Sequence, residues 1–147
     1  MRDLIVLKIY LHERNQQVDG YVFELNELAE IENLKQRDYY AVERLLQVLV
    51  EACIGVSKHW LKFLGKSVPN EAYQAFELLA RHGLLPESEL VTWRKIIGLR
   101  NALVHDYLNL DRAIVLSVLR GKHYLKLAKF IRDATSTTKS QLQYEKL

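Results

Sequence analysis

Apolar residues return every seven positions at the start of this chain: Leu4, Leu11, Val18 and Leu25, with Leu7, Val22 and Leu28 between them. That spacing predicts an amphipathic helix of about 30 residues, with Gly20 as a weak point in its middle. A second stripe runs through Val42, Leu45, Leu46, Leu49, Cys53, Val56 and Trp60. Asp38 is read as its cap and Gly65 as its stop. A third, shorter helix starts near Asn70, turns Tyr73, Phe76, Leu79 and Ala80 inward, and closes at Gly83.

The fourth helix begins between Pro86 and Glu89, where acidic side chains suit the positive end of a helix dipole. It carries Trp93, Ile96, Ile97, Leu103 and Val104. A fifth segment opens near Asp111, places Tyr124, Leu127, Ala128 and Ile131 on one side, and is bent or divided at Gly121. No strand-like alternation and no internal repeat occurs. The expected fold is all-α: one domain over residues 1–134, an antiparallel up-down bundle of four to five helices. After Ala134 the periodicity is lost, so residues 135–147 are expected to form a polar, disordered tail.

Composition adds limits rather than identity. A chain of 147 residues with 49% hydrophobic and 27% charged residues can bury a core without disulfides or metal. The single cysteine, Cys53, reads as a buried small hydrophobe and suits a reducing, cytoplasmic setting. No signal peptide and no membrane-length apolar run is read, so no membrane partner is expected. The net charge of +3 says little, but its distribution says more. Between Ala113 and Arg132 there is no Asp or Glu, while Lys122, Lys126 and Lys129 recur at helical spacing. The stripe either attracts phosphate or is an ordinary solvated face.

The chemistry concentrates in Arg100-Asn101-Ala-Leu-Val-His105-Asp-Tyr107. On a helical wheel Arg100 falls in the centre of the apolar arc of the fourth helix, where a guanidinium is costly unless something pairs with it. Asn101 and His105 share a neighbouring arc with Arg94 and Gly98. Arg100 and His105 diverge by about 140° on an ideal helix. Either the helix ends or unwinds near Val104, or a second copy of the chain contributes. Structural roles compete at each position: Arg100 as an ion-pair partner of Glu51 or Glu43, His105 as a helix terminator, Tyr107 as a core aromatic. No metal-ligand spacing, Gly-rich phosphate loop or nucleophile elbow is found, and neither metal nor cofactor is expected.

Arginine offers phosphate a planar fork of donors, and histidine exchanges protons near neutral pH. Together they suffice for RNA cleavage by attack of the ribose 2′-OH on the adjacent phosphorus. The step needs an acid and a base, which two copies of one histidine would supply in a two-fold homodimer.

The segment from Arg100 to Tyr107 resembles the Arg-x4-His-x-Tyr motif of the HepT toxins, a branch of the HEPN ribonuclease superfamily. Arg37 to Arg44, Glu51 to Ile54, Val68-Pro69 and Ala75 to Leu79 resemble further landmarks of that family, in family order. The resemblance implies a homodimeric helical bundle that acts as a metal-independent endoribonuclease toxin in a type VII-like toxin–antitoxin module. It implies catalytic Arg100 and His105, with Asn101 and Glu51 in support. Arg94, Lys122, Lys126 and Lys129 are taken as RNA contacts. The implied partner is a nucleotidyltransferase antitoxin of the MntA type, which would transfer AMP to Tyr107. One departure is Gly55, where the family often carries Asp. The alternative reading is a non-catalytic nucleotide- or partner-binding module that accompanies a nucleotidyltransferase.

Overall fold

A computed structural model describes the backbone of residues 2–145 and their side chains, apart from those of Tyr107, Lys139 and residues 141–145. The described chain is all-α. Its helices are α1 (Arg2–Ala29), α2 (Gln36–Phe63), α3 (Ala72–Arg81), α4 (Leu90–His105), α5 (Arg112–Arg120) and α6 (Tyr124–Glu145). Short 3-10 turns at Glu87–Glu89 and Tyr107–Asn109 flank α4.

The seven-residue repeat of α1 is its buried seam: Leu4, Leu11, Val18 and Leu25 are each no more than 2% exposed. Each such side chain contributes about 2 kcal/mol of burial, enough to hold one long helix straight across the bundle despite Gly20. Two polar ties fix its direction against α6. Asn15 Nδ2 donates to Thr135 Oγ1, and Tyr124 Oη donates to Asn26 Oδ1. Position increases along α1 as it decreases along α6, so the helices are antiparallel.

α2 is the central helix. It packs against α1, α3, α4, α5 and α6, whereas α4 packs mainly on α2 and α3. Cys53 Sγ donates to the carbonyl of Leu127 on α6, 3.4 Å away. Asp38 sits inside the first turn of α2 rather than at its cap: its carboxylate accepts from the backbone N–H of Lys35, which is the N-cap. α2 and α3 end as expected at Gly65 and Gly83, both with left-handed φ (73° and 72°). In each case the following N–H bonds back to the carbonyl five residues earlier, closing the last turn.

One boundary agrees with the sequence reading and one differs. The segment after Asp111 is divided at Gly121, as read, into α5 and α6: Gly121 follows α5 with a right-handed φ of −81°, and Lys122 takes the left-handed φ of 52°. A β-carbon at Gly121 would lie 2.5 Å from the exposed His123 ring, which would have to swing aside. The expected disordered tail is corrected, because α6 continues past Ala134 to Glu145. Thr135, Thr137 and Thr138 return their hydroxyls to carbonyls four residues back, and Thr138 is buried. Hydroxyl back-bonding lets a threonine-rich segment stay helical while losing apolar periodicity. Residues 146 and 147 lie outside the described residues.

Candidate active site

The site is built on α4, which lies at one edge of the bundle. Its first half is anchored by four rings drawn from four helices: Trp60, Phe76, Trp93 and Phe130. Phe76 stacks on Trp93 with centroids 4.1 Å apart, and Phe130 meets the edge of Trp93 at 5.0 Å. Such packing fixes the rotation of α4 about its axis. That rotation turns Trp93 and Ile97 inward and leaves Val91, Arg94, Gly98, Asn101 and His105 exposed. Nothing stands within 4 Å of where a Gly98 β-carbon would be, so this face is open.

Arg100 falls between the two faces and is half-buried. Its Nε is buried and has no hydrogen-bond partner among the described residues. A guanidinium donor in that state costs about 1–3 kcal/mol, which a bound anion would recover. Neither expected carboxylate partner reaches it. Glu51 is exposed and accepts from Gln47 Nε2. Glu43 lies with Arg112, and burial raises its carboxyl pKa while Arg112 opposes the shift.

α4 ends near Val104, as one branch of the expectation has it, but one residue too late to re-aim His105. It stays helical through His105, and Asp106 caps it with a non-helical φ of −147°. Arg100 and His105 therefore remain on different sides of one continuous helix, about 140° apart. After the cap the chain turns tightly. Asn109 donates from its backbone N–H to the Asp106 carbonyl and from Nδ2 to the Asp106 carboxylate, at 3.0 and 2.8 Å. Tyr107 lies within this braced turn; its side chain is outside the described residues.

The other expected RNA contacts are dispersed. Arg94 rests over the Tyr73 ring, 4.4 Å from its centre, on the α3 side. Lys122 precedes α6 and pairs with Glu30 at 3.6 Å, and Lys129 pairs with Asp133 at 3.0 Å. Lys126 is exposed and forms no salt bridge among the described residues. The three lysines do not form one continuous helical stripe, because the left-handed Lys122 interrupts it.

Two clusters escaped the sequence reading. Arg112 lies 3.9 Å from the Tyr39 ring centre and bonds Gln36, joining the start of α5 to the start of α2. Tyr10 on α1 stacks on His59 of α2, with centroids 3.9 Å apart and planes 14° from parallel. The Tyr10 hydroxyl fills the space above Gly55. The only local signals were spacings of four, Tyr10 to Arg14 and Gly55 to His59, on helices whose mutual packing was unknown.

A family model described as Ribonuclease HepT-like matches residues 12–134. The chain belongs to the HepT-like ribonuclease family. It is 35% identical over 81 residues to the mRNA nuclease HepT of Shewanella oneidensis, covering 55% of this chain and 59% of that protein. It is 34% identical over 96 residues to the tRNA nuclease HepT of Aphanizomenon flos-aquae, covering 59% and 64%. The chain thus matches about three-fifths of the length of these curated HepT relatives. A solved structure of a tri-AMPylated Shewanella oneidensis HEPN toxin in complex with MNT antitoxin superposes with a TM-score of 0.77 at 25% identity. It covers 86% of this chain and 97% of that one. The all-α architecture and the α4 motif of the HepT-like chain agree with that membership. Among the described residues, no helix is long and apolar enough to cross a membrane.

Proposed function

We propose that this chain is an endoribonuclease toxin whose centre is assembled from Arg100 and His105 of two protomers. The observation that carries the reading is the Arg100 guanidinium, half-buried on α4 with its Nε buried and without a hydrogen-bond partner among the described residues. A phosphodiester is the natural complement of such a donor. His105 is exposed at the end of the same helix, so its imidazole is accessible for proton transfer. The open α4 face with Val91 and Gly98 suits packing against its symmetry mate. In that arrangement one chain's Arg100 lies near the other's His105, which answers their divergence on a single helix.

One His105 removes the proton from the ribose 2′-OH, and that oxygen attacks phosphorus. The second His105 protonates the departing 5′ oxygen. Arg100 stabilises the charge that develops on the phosphoryl oxygens. The products are a 2′,3′-cyclic phosphate and a 5′-OH, and the atoms balance without another reactant. Asn101, beside His105 on the exposed face, serves to orient substrate. Glu51 and Lys126 are more distant supports.

Regulation follows from Tyr107. A nucleotidyltransferase antitoxin of the MntA type transfers AMP from a nucleoside triphosphate to the Tyr107 hydroxyl, releasing pyrophosphate. The added charge and bulk then exclude RNA from the cleft. The brace between Asp106 and Asn109 supports a fixed presentation of the Tyr107 backbone to that enzyme. The proposed setting is the cytoplasm.

The test uses the purified full chain with tRNA or structured mRNA in EDTA. Wild type is expected to leave 2′,3′-cyclic phosphate ends, while Arg100→Ala and His105→Ala leave the RNA intact. Equal cleavage by all three would overturn the proposal. Nucleotide binding without any cleavage would favour the non-catalytic module.

A further inference from the structure

We infer that the exposed face of α2, bordered by the Tyr10–His59 stack, is the track along which a single RNA strand lies. This deepens the proposed function by giving its substrate a path; no residue used here belongs to the catalytic set.

The helical repeat of α2 puts Arg37, Arg44, Gly55, His59 and Lys62 within about 60° of one another on the side away from the core. The opposite side faces α6, as the bond from Cys53 to Leu127 shows. Arg37, Arg44 and Lys62 are exposed, and none forms a salt bridge among the described residues. The one carboxylate of this face, Glu51, accepts from the neutral amide of Gln47 and offsets only one of these three charges. By contrast Lys122 and Lys129, near and on α6, have acidic partners at 3.6 and 3.0 Å. On α6 the exposed cations without a salt bridge among the described residues, Lys126 and Arg132, diverge by about 120°, whereas those of α2 share one face, and a polyanion is the complement of that face.

A second observation selects nucleic acid over an acidic protein. The Tyr10 and His59 rings stack at 3.9 Å at the border of this face, with the Arg14 guanidinium 4.9 Å from the Tyr10 ring centre. His59 is held in that orientation because its Nδ1 donates to the Gly55 carbonyl at 2.9 Å. The residue is exposed, so a flat π surface fixed beside cations is offered to solvent. Stacked aromatic and guanidinium groups beside a basic track are how proteins hold unpaired bases. Protein interfaces, in contrast, carry an apolar centre and are depleted in lysine, and the apolar side chains within this arc, Ala41 and Val48, are small and lie among cations.

The track leads to the proposed cleavage site. α2 lies between α1 and α4 in the packing order. Arg112, a few residues beyond the end of α4, reaches Gln36 and Tyr39, so the end of α4 sits beside the start of α2. A strand held by Lys62 and the Tyr10–His59 stack, then by Arg44 and Arg37, runs toward the His105 end of α4.

The experiment measures binding of a fluorescein-labelled, 2′-O-methylated 12-mer RNA to the full chain by anisotropy over a range of salt. The methylated strand cannot be cleaved, so the result is independent of whether the chain is a nuclease. Arg44→Glu with Lys62→Glu is expected to weaken binding at least tenfold and to flatten the salt slope by about 1.4, the value for two lost phosphate contacts. His59→Ala and Tyr10→Leu are each expected to weaken it about tenfold with little change in slope. Lys8→Glu with Arg132→Glu, a reversal of two exposed cations on α1 and α6 that have no part in the site or the track, serves as the control and is expected to change affinity less than threefold. His59→Ala is a surface change, so it keeps the stacking arm readable should Tyr10→Leu fail to fold. Wild-type affinity in the α2 variants would overturn the inference. So would an α2 double reversal that spares RNA affinity but abolishes self-association or antitoxin capture in size-exclusion chromatography, because the face would then be a protein interface. A chain that binds RNA through α2 without cutting it would sink the nuclease reading alone.

Discussion

The Tyr10 hydroxyl stands where a side chain at Gly55 would begin: a β-carbon at position 55 would lie 2.6 Å from that oxygen. The glycine is thus matched to a residue of another helix. The space above the glycine is occupied by the tyrosine whose ring stacks on His59.

Glycine inside a helix costs about 1 kcal/mol relative to alanine. Gly55→Ala alone is expected to gain less than that, because the new methyl displaces the Tyr10 ring from His59. In a Tyr10→Phe background the hydroxyl is gone, and Gly55→Ala is expected to stabilise by about 1 kcal/mol, some 2–4 °C in Tm. Thermal melts of the four members of this cycle test it. Additive effects would show that Tyr10 and Gly55 are not coupled.

Arg100 is expected to oppose stability and serve function. Arg100→Met keeps much of the length and removes a buried donor that has no partner among the described residues. Unfolding in urea should show equal or higher stability, by up to about 1 kcal/mol, while RNA cleavage falls by about 100-fold or more. A stability loss above about 1.5 kcal/mol would mean that the guanidinium holds the fold together.

Cys53 makes stability depend on pH in the alkaline range. Burial raises its thiol pKa well above the ordinary value, so the folded chain keeps the proton. In the unfolded chain the thiol ionises near about 8.5. The contribution is whole below that pH and is lost progressively as pH rises above it, by about 1.4 kcal/mol at pH 9.5. Urea titrations at pH 7.5 and 9.5 should show that extra loss in wild type and not in Cys53→Val. In the folded protein the thiol should also resist iodoacetamide at pH 8.

Lys122 adopts a left-handed φ of 52° without being glycine. Such a conformation costs about 1 kcal/mol. The exposed pair with Glu30 that Lys122→Gly would remove is worth less than that. A net gain of about 0.5 kcal/mol, or 1–2 °C in Tm, is expected. A lower Tm would show that the ion pair outweighs the backbone strain.

The sequence by itself determined the helices, because an amphipathic stripe has the same period wherever it packs: the α1 heptad, the α2 stripe and the glycine stops at Gly65 and Gly83 were all legible. It also brought the α4 motif to attention, since a guanidinium at the centre of an apolar arc is conspicuous on any helical wheel. It also placed the division between α5 and α6 at Gly121. It misread the tail, because apolar period does not encode the threonine back-bonding that carries α6 through those residues. Only the tertiary structure decided which polar groups meet. It withheld Glu51 from Arg100, gave Lys122 and Lys129 acidic partners, and set Tyr10 against His59. The physical reason is that a helix fixes neighbours three and four residues apart, while contacts between helices depend on their rotation and register. Those are set by the whole core, here by Trp60, Phe76, Trp93 and Phe130 meeting from four helices.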